Sequence, residues 1–164
     1  MIKNIEHYLF HEKNFLDKEY CDNCVNELKN EDWKKHSWYA ADIKGDYAPS
    51  GNNEPEELRY WFGSGGTDHG PDFSKNVHTM NAFIIEKIHS SLLEYYNKLD
   101  FHWFTDWSGY LPLKFLRYFP DQKLENHCDQ ITLGEGVNGI PLLSVIGMLN
   151  DNYEGGELIF FKDK

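Results

Sequence analysis

The spacing of apolar residues changes along the chain, from a helical period before residue 110 to an extended one after it. A first helical stretch runs from about 18 to 29, behind Asp17 as a plausible N-cap. Its apolar positions are Tyr20, Cys21, Cys24, Val25 and Leu28. A second runs from about 75 to 98, and its apolar face comprises Met80, Phe83, Ile84, Ile88, Leu92, Tyr95, Tyr96 and Leu99. The pattern predicts two amphipathic helices.

Beyond residue 110, the pattern predicts strands separated by turn residues. They are Leu111–Phe119, Asn126–Ile131, Leu142–Leu149 and Glu157–Phe161. The segment between the helices is rich in Gly, Pro and Asn, and it predicts only two short strands, at Trp38–Ile43 and Leu58–Phe62. Helices followed by a run of strands indicate an α+β fold, with N-terminal helices packed on an antiparallel sheet or partial jelly roll.

Length and composition narrow the class of protein. A chain of 164 residues predicts one domain over 1–164, with a helical support region at about 1–110 and jelly-roll strands at about 111–164. The net charge of −11 argues against nucleic acid and against an anionic membrane surface as partners. No stretch approaches the ~20 apolar residues of a membrane span. Three cysteines, an odd number, favour a reducing cytoplasm over a disulfide framework.

The strongest candidate chemistry is the tripeptide His127-Cys128-Asp129. Side chains two residues apart share one face of a strand, so the imidazole and the carboxylate would project together. One nitrogen and one oxygen held side by side form two corners of a facial site for non-haem Fe(II). Cys128 would point to the opposite face and pack. A chain with eight histidines can contain such a tripeptide by chance, and a surface strand is the alternative interpretation.

The surrounding motifs strengthen the metal interpretation. A strand carrying Arg117-Tyr118 leads through Pro120-Asp121-Gln122 into His127, and a strand ending in Leu149-Asn150 precedes Gly155-Gly156-Glu157. From Leu113 to Phe161 this order resembles the catalytic domain of the prolyl 4-hydroxylase-like Fe(II)/2-oxoglutarate dioxygenases. The resemblance implies a double-stranded β-helix, with His127 and Asp129 as iron ligands and Tyr118 beside the 2-oxoglutarate. A core role is the alternative for Tyr118. The glycine pair is expected to form a tight turn with positive φ between two strands.

Several positions depart from the family pattern. Asp121 stands where the turn usually has Gly, and Leu124 where a second Tyr is often seen. The family also has a second His ligand and then a basic residue that binds 2-oxoglutarate, but no His or Arg follows Asp129. Lys162 and Lys164 match no motif position. The chain is therefore expected to be incomplete at its C-terminus. Earlier histidines do not follow the family's order; they are His69, His78, His89 and His102.

The resemblance implies an enzyme that uses Fe(II), 2-oxoglutarate and O2 to hydroxylate a C–H bond, often with ascorbate keeping the iron reduced. A peptidyl proline is one candidate substrate within a wider class of peptides and small molecules. The alternative is a non-catalytic binding or interaction domain that retains part of the jelly roll. The missing second His and the missing basic residue motivate that alternative.

Overall fold

The computed structural model describes residues 5–36, 54–59, 74–99, 109–110, 113–124, 127 and 142–160. The chain divides into two compact units. The helical unit comprises Met1–Glu31 and Arg59–Leu113, and the sheet unit comprises Asp32–Leu58 and Lys114–Lys164. The prediction of one domain over 1–164 stays a prediction.

The helical unit contains both predicted helices. A short 3-10 helix at Ile5–Tyr8 precedes α1, which spans Lys18–Leu28, and α2 spans Lys75–Leu99. The predicted cap of α1 is confirmed, because the Asp17 carboxylate accepts a hydrogen bond from the Tyr20 backbone N–H at 2.7 Å. That bond satisfies one of the N–H groups that a helix leaves unpaired at its start. The helix boundaries follow those expected from apolar periodicity within one residue.

Apolar side chains on the two helices form the core of the helical unit. Buried positions are Cys24 and Leu28 on α1, and Val77, Met80, Ile84 and Leu99 on α2. Tyr20 packs its ring against Phe83 at 4.7 Å between centroids. Removing an aliphatic side chain of this size from water is worth roughly 1.5–3 kcal/mol. The helix pair is therefore stabilised largely along its predicted apolar faces, although Phe83 is 41% exposed and the fully buried Val77 was not in the predicted face.

The sheet unit contains a small three-stranded sheet. The strands are β1 at Lys34–Lys35, β2 at Glu56–Arg59 and β3 at Lys114–Arg117, in the order β1-β2-β3. The first two strands are antiparallel, with Lys34 opposite Glu57. β3 falls within the predicted strand Leu111–Phe119. β2 shares only Leu58 and Arg59 with the predicted strand Leu58–Phe62. β1 was not predicted, and the predicted Trp38–Ile43 lies outside the described residues.

The Arg117 side chain links β3 to β2 and to the residue just before β1. Its guanidinium donates to the Glu56 carboxylate of β2 through Nε at 2.8 Å and also through one terminal nitrogen. The same group stacks over the ring of Trp33, just before β1, at 4.4 Å from the centroid. A planar guanidinium combines carboxylate pairing with aromatic stacking, which an ammonium cannot do equally well. The Arg117 guanidinium therefore stabilises the sheet through these two contacts.

The predicted strands near the end of the chain are wrong where the structure describes them. Residues 142–160 contain no strand, so Leu142–Leu149 and the described part of Glu157–Phe161 are irregular. A strand leaves its backbone N–H and C=O groups unpaired unless a neighbour supplies partners, so β-propensity alone does not create one. The mixed α+β class is supported by two helices and a small sheet. Within the described parts of the chain, no helix is long and apolar enough to cross a membrane.

Candidate functional site

Tyr118 lies at the surface of the sheet unit, directly after the strand β3. Phe115 is buried in the strand, whereas Tyr118 directly follows it and is 46% exposed. Partial burial raises the pKa of the Tyr118 phenol above 10.0, and the negative charge of Glu54 raises it further. The phenol is therefore a protonated hydrogen-bond donor at neutral pH, as a role beside a carboxylate would require. Its half-exposed position is not that of a fully buried core tyrosine.

A tight turn follows Tyr118. The Gln122 N–H donates to the Phe119 carbonyl at 3.1 Å, and the Phe119 N–H donates to the Gln122 side chain at 2.8 Å. Asp121 has φ +66°, in the left-handed region that favours glycine. This is the position where the family pattern has Gly. Asp is among the few non-glycine residues that enter this region readily, so the departure at Asp121 preserves the turn.

The two proposed iron ligands are described unequally. His127 has an exposed side chain, and it is not in a strand. Asp129 lies outside the described residues, as does the rest of the predicted strand Asn126–Ile131. Their common orientation therefore stays a prediction. In the described parts of the chain, no group of three His, Cys, Asp or Glu side chains could hold a metal ion.

The glycine pair adopts the expected backbone conformation. Gly155 has φ +77° and Gly156 has φ +74°. Two consecutive positive φ values are what a two-residue type I′ hairpin turn requires. A side chain at position 156 would meet the Tyr153 ring at 3.1 Å, so this position is also sterically tight. The expected positive φ values are thus present, but the flanking residues are not in the expected strands.

A buried polar cluster, which we call the His36 cluster, was missed by sequence reasoning. It consists of His36, Glu54 and Glu57, whose exposed fractions are 2%, 5% and 3%. His36 Nδ1 lies 2.5 Å from a Glu57 carboxylate oxygen, and Nε2 lies 3.8 Å from a Glu54 oxygen. Buried polar groups are costly unless paired, and the close contact between His36 and Glu57 offsets the burial of those two side chains. The Glu54 oxygen lies beyond hydrogen-bond distance of the ring.

The strand register explains how these residues meet. His36 follows β1 and its N–H donates to the Pro55 carbonyl at 2.9 Å, which places it diagonally from Glu57. Diagonal neighbours in an antiparallel pair are within reach of long side chains. Only the cross-strand pairing, between segments about twenty residues apart, reveals that the side chains of this cluster are buried.

Two of the earlier histidines lie on α2. His78 and His89 are exposed and line an open groove of about 700 Å³ together with Asn81 and Tyr110. Eleven residues of helix separate the two histidines, which is about 16 Å along the axis. They cannot ligate one metal ion together. His69 and His102 lie outside the described residues.

The cysteines of α1 do not form a reactive pair. Cys24 is buried, and burial together with the neighbouring Cys21 raises its pKa to about 11. A thiol with such a pKa is almost entirely protonated at neutral pH and is a poor nucleophile and metal ligand. Both cysteines are free thiols. This agrees with a packing role on the helix.

In comparisons with known proteins, the chain matches no family model, no curated protein and no solved structure.

Proposed function

We propose that this protein is a Fe(II)- and 2-oxoglutarate-dependent dioxygenase that hydroxylates a C–H bond. The observation that carries the proposal is the local conformation at the motif positions that are described. Tyr118 follows a strand, Asp121 is left-handed where the family has Gly, and Gly155-Gly156 have consecutive positive φ. These features support a jelly-roll domain of the prolyl 4-hydroxylase-like type.

In this proposal His127 and Asp129 hold the iron. An imidazole and a carboxylate are donors that suit Fe(II), and the exposure of His127 leaves its ring accessible. Bound Fe(II) would supply the activation of O2 with 2-oxoglutarate as co-substrate, and ascorbate would keep the metal reduced. Tyr118 would donate a hydrogen bond to a 2-oxoglutarate carboxylate. The substrate is a peptide or small molecule, with a peptidyl proline as one candidate, and the proposed location is the cytoplasm.

Metal titration tests the ligand role directly. We expect His127→Ala and Asp129→Ala to weaken Fe(II) binding at least about tenfold under anaerobic conditions, because each removes a direct ligand. His11→Ala is the matched control, since His11 is an exposed histidine of the helical unit. Iron-dependent formation of succinate from 2-oxoglutarate provides the second measurement. Equal iron affinity in His127→Ala and the parent would eliminate the proposed site.

A second candidate is a non-catalytic binding domain, and the segment 142–160 favours it. Large apolar side chains are exposed there by 47% to 58% of their area; they are Leu142, Val145, Ile146, Met148, Tyr153, Leu158, Ile159 and Phe160. Apolar area of this extent marks an interaction surface in many proteins. Light scattering of the parent and of a Val145→Ser, Ile146→Ser double variant tests whether the protein associates through this segment. Association that is lost in the variant, without any iron binding in the parent, would favour this candidate over the enzyme.

A further inference from the structure

The segment that precedes α1 lies along one face of α2. We call residues 5–17 the N-terminal strap, and we call the four α2 residues that contact it the strap-binding face; they are Lys87, Ser91, Tyr95 and Lys98. Residues three or four apart on a helix are neighbours on one face, so these side chains form a continuous row. The Tyr95 hydroxyl contacts the start of the strap and the Lys87 ammonium contacts its end. The strap and α2 therefore run in opposite directions.

Two residues of the strap-binding face hold the backbone of the strap. The Tyr95 hydroxyl donates to the Tyr8 carbonyl at 2.6 Å. The Lys87 ammonium donates to the Phe15 carbonyl at 3.1 Å. Partial burial raises the pKa of the Tyr95 phenol, so this group is a donor at neutral pH. Every peptide presents backbone carbonyls, and these two hydrogen bonds are therefore independent of sequence.

Two side chains of the strap supply contacts that depend on sequence. The Phe10 ring lies 5.7 Å from the Tyr95 ring and 5.6 Å from the Lys98 ammonium. The Glu12 carboxylate accepts a hydrogen bond from the Ser91 hydroxyl at 2.6 Å. The face thus fits an aromatic residue followed two positions later by a carboxylate. Its lysines also complement the negative charge of such a segment.

The strap is attached to the surface of the helical unit. Residues 5–17 are all described, and none of them is buried. The buried core of this unit is formed by side chains of α1 and α2. Segments with few buried apolar contacts and exposed hydrogen bonds are those that open locally while the rest of a protein stays folded. Release of the strap would therefore leave the helix pair intact.

We propose that the strap-binding face is a docking site for a partner peptide, and that the strap occupies it until the partner displaces it. The partner carries an aromatic residue and, two positions later, an Asp or Glu, as the strap does with Phe10 and Glu12. A tethered segment competes at high effective concentration, so a free peptide binds the fraction of molecules whose strap is open. The site lies within the helical unit and does not depend on the proposed iron site.

A fluorescein-labelled peptide with the sequence of residues 8–15 is the probe, and its binding to the full chain is measured by fluorescence anisotropy. Phe10→Ala in the protein weakens the competing strap, so the apparent Kd of the free peptide should fall about fivefold. His11→Ala is the matched control within the strap, because His11 is exposed, and it should stay within about twofold of the parent. Adding Tyr95→Phe to the Phe10→Ala protein should weaken peptide binding about threefold, since it removes a donor to a backbone carbonyl.

The outcomes separate the possible occupants of the face. A second peptide that carries Phe10→Ala and Glu12→Lys should bind more weakly than the first. Equal affinity of the first peptide for the parent, Phe10→Ala and the double variant would overturn the inference, as would a lack of binding to Phe10→Ala. Loss of the helical circular dichroism signal in Phe10→Ala would show that the strap is part of the core, and would also overturn it. A concentration-dependent dimer of the parent that Tyr95→Phe dissociates would assign the face to the strap of a second copy instead of a partner peptide.

Discussion

Helix α2 and the segment 142–160 are both rich in apolar residues, yet only α2 forms regular structure. A helix pairs its backbone groups within its own length, and Val77, Met80 and Ile84 then bury one face. The segment 142–160 has strand-like residues, but a strand depends on a neighbour for its hydrogen bonds. The comparison teaches that periodicity predicts a local element well and a partner-dependent element poorly. The following predictions test that difference.

The largest expected effect is on the buried contact that joins β1 to β2. Glu57→Ala leaves the His36 imidazole buried beside an empty position and should cost about 3–5 kcal/mol in the free energy of unfolding. Asp22→Ala is the control in the helical unit, since the exposed Lys18–Asp22 pair should contribute only about 0.3–0.5 kcal/mol. Urea denaturation measures both. A loss from Glu57→Ala no larger than that from Asp22→Ala would show that the sheet does not depend on this pair.

Two isoleucines allow the same substitution in the two contrasting regions. Ile84 on α2 is 7% exposed, whereas Ile146 is 57% exposed. Ile84→Ala should destabilise the protein by about 2–5 kcal/mol through lost burial and a cavity. Ile146→Ala should change stability by less than about 0.5 kcal/mol. Thermal or urea unfolding of the two variants measures both changes in stability. A comparable loss in both would mean that residues 142–160 are packed in solution, and the contrast with α2 would disappear.

The same contrast explains how much of the molecule could be predicted from sequence. Apolar spacing and the Asp17 cap depend on neighbours within four residues, and both helices were predicted within one residue of their ends. The positive φ of Gly155 and Gly156 is also a local property and was predicted correctly, whereas the strands expected on either side are absent from residues 142–160. The His36 cluster depends on the cross-strand pairing of His36 with Pro55, which no local pattern specifies. The common orientation of His127 and Asp129 stays a prediction, because Asp129 lies outside the described residues.

A smaller effect is expected at the turn beyond β3. Asp121→Val places a β-branched residue at φ +66° and should cost about 1–2 kcal/mol. Asp121→Gly should be neutral or stabilise slightly, because glycine adopts this conformation without strain. The pair is compared by urea denaturation and by iron affinity. If Asp121→Gly destabilises as much as Asp121→Val, the Asp121 carboxylate rather than the backbone conformation is what the turn requires.

The smallest effect at neutral pH concerns Cys24, and it appears only in alkaline solution. Burial is the larger cause that raises the pKa of the Cys24 thiol, from 9.0 to about 11. The folded state therefore holds this proton more tightly than the unfolded state. The resulting stability is fully present below pH 9 and is lost as the pH rises through about 11.

A variant that keeps only Cys24, with Cys21→Ala and Cys128→Ala, isolates the thiol. Its iodoacetamide alkylation rate should rise with a midpoint well above 9 in native protein and near 9 in urea. A native midpoint near 9 would show that α1 does not bury Cys24, and the locally determined helix pair would then be less well packed than its periodicity indicates.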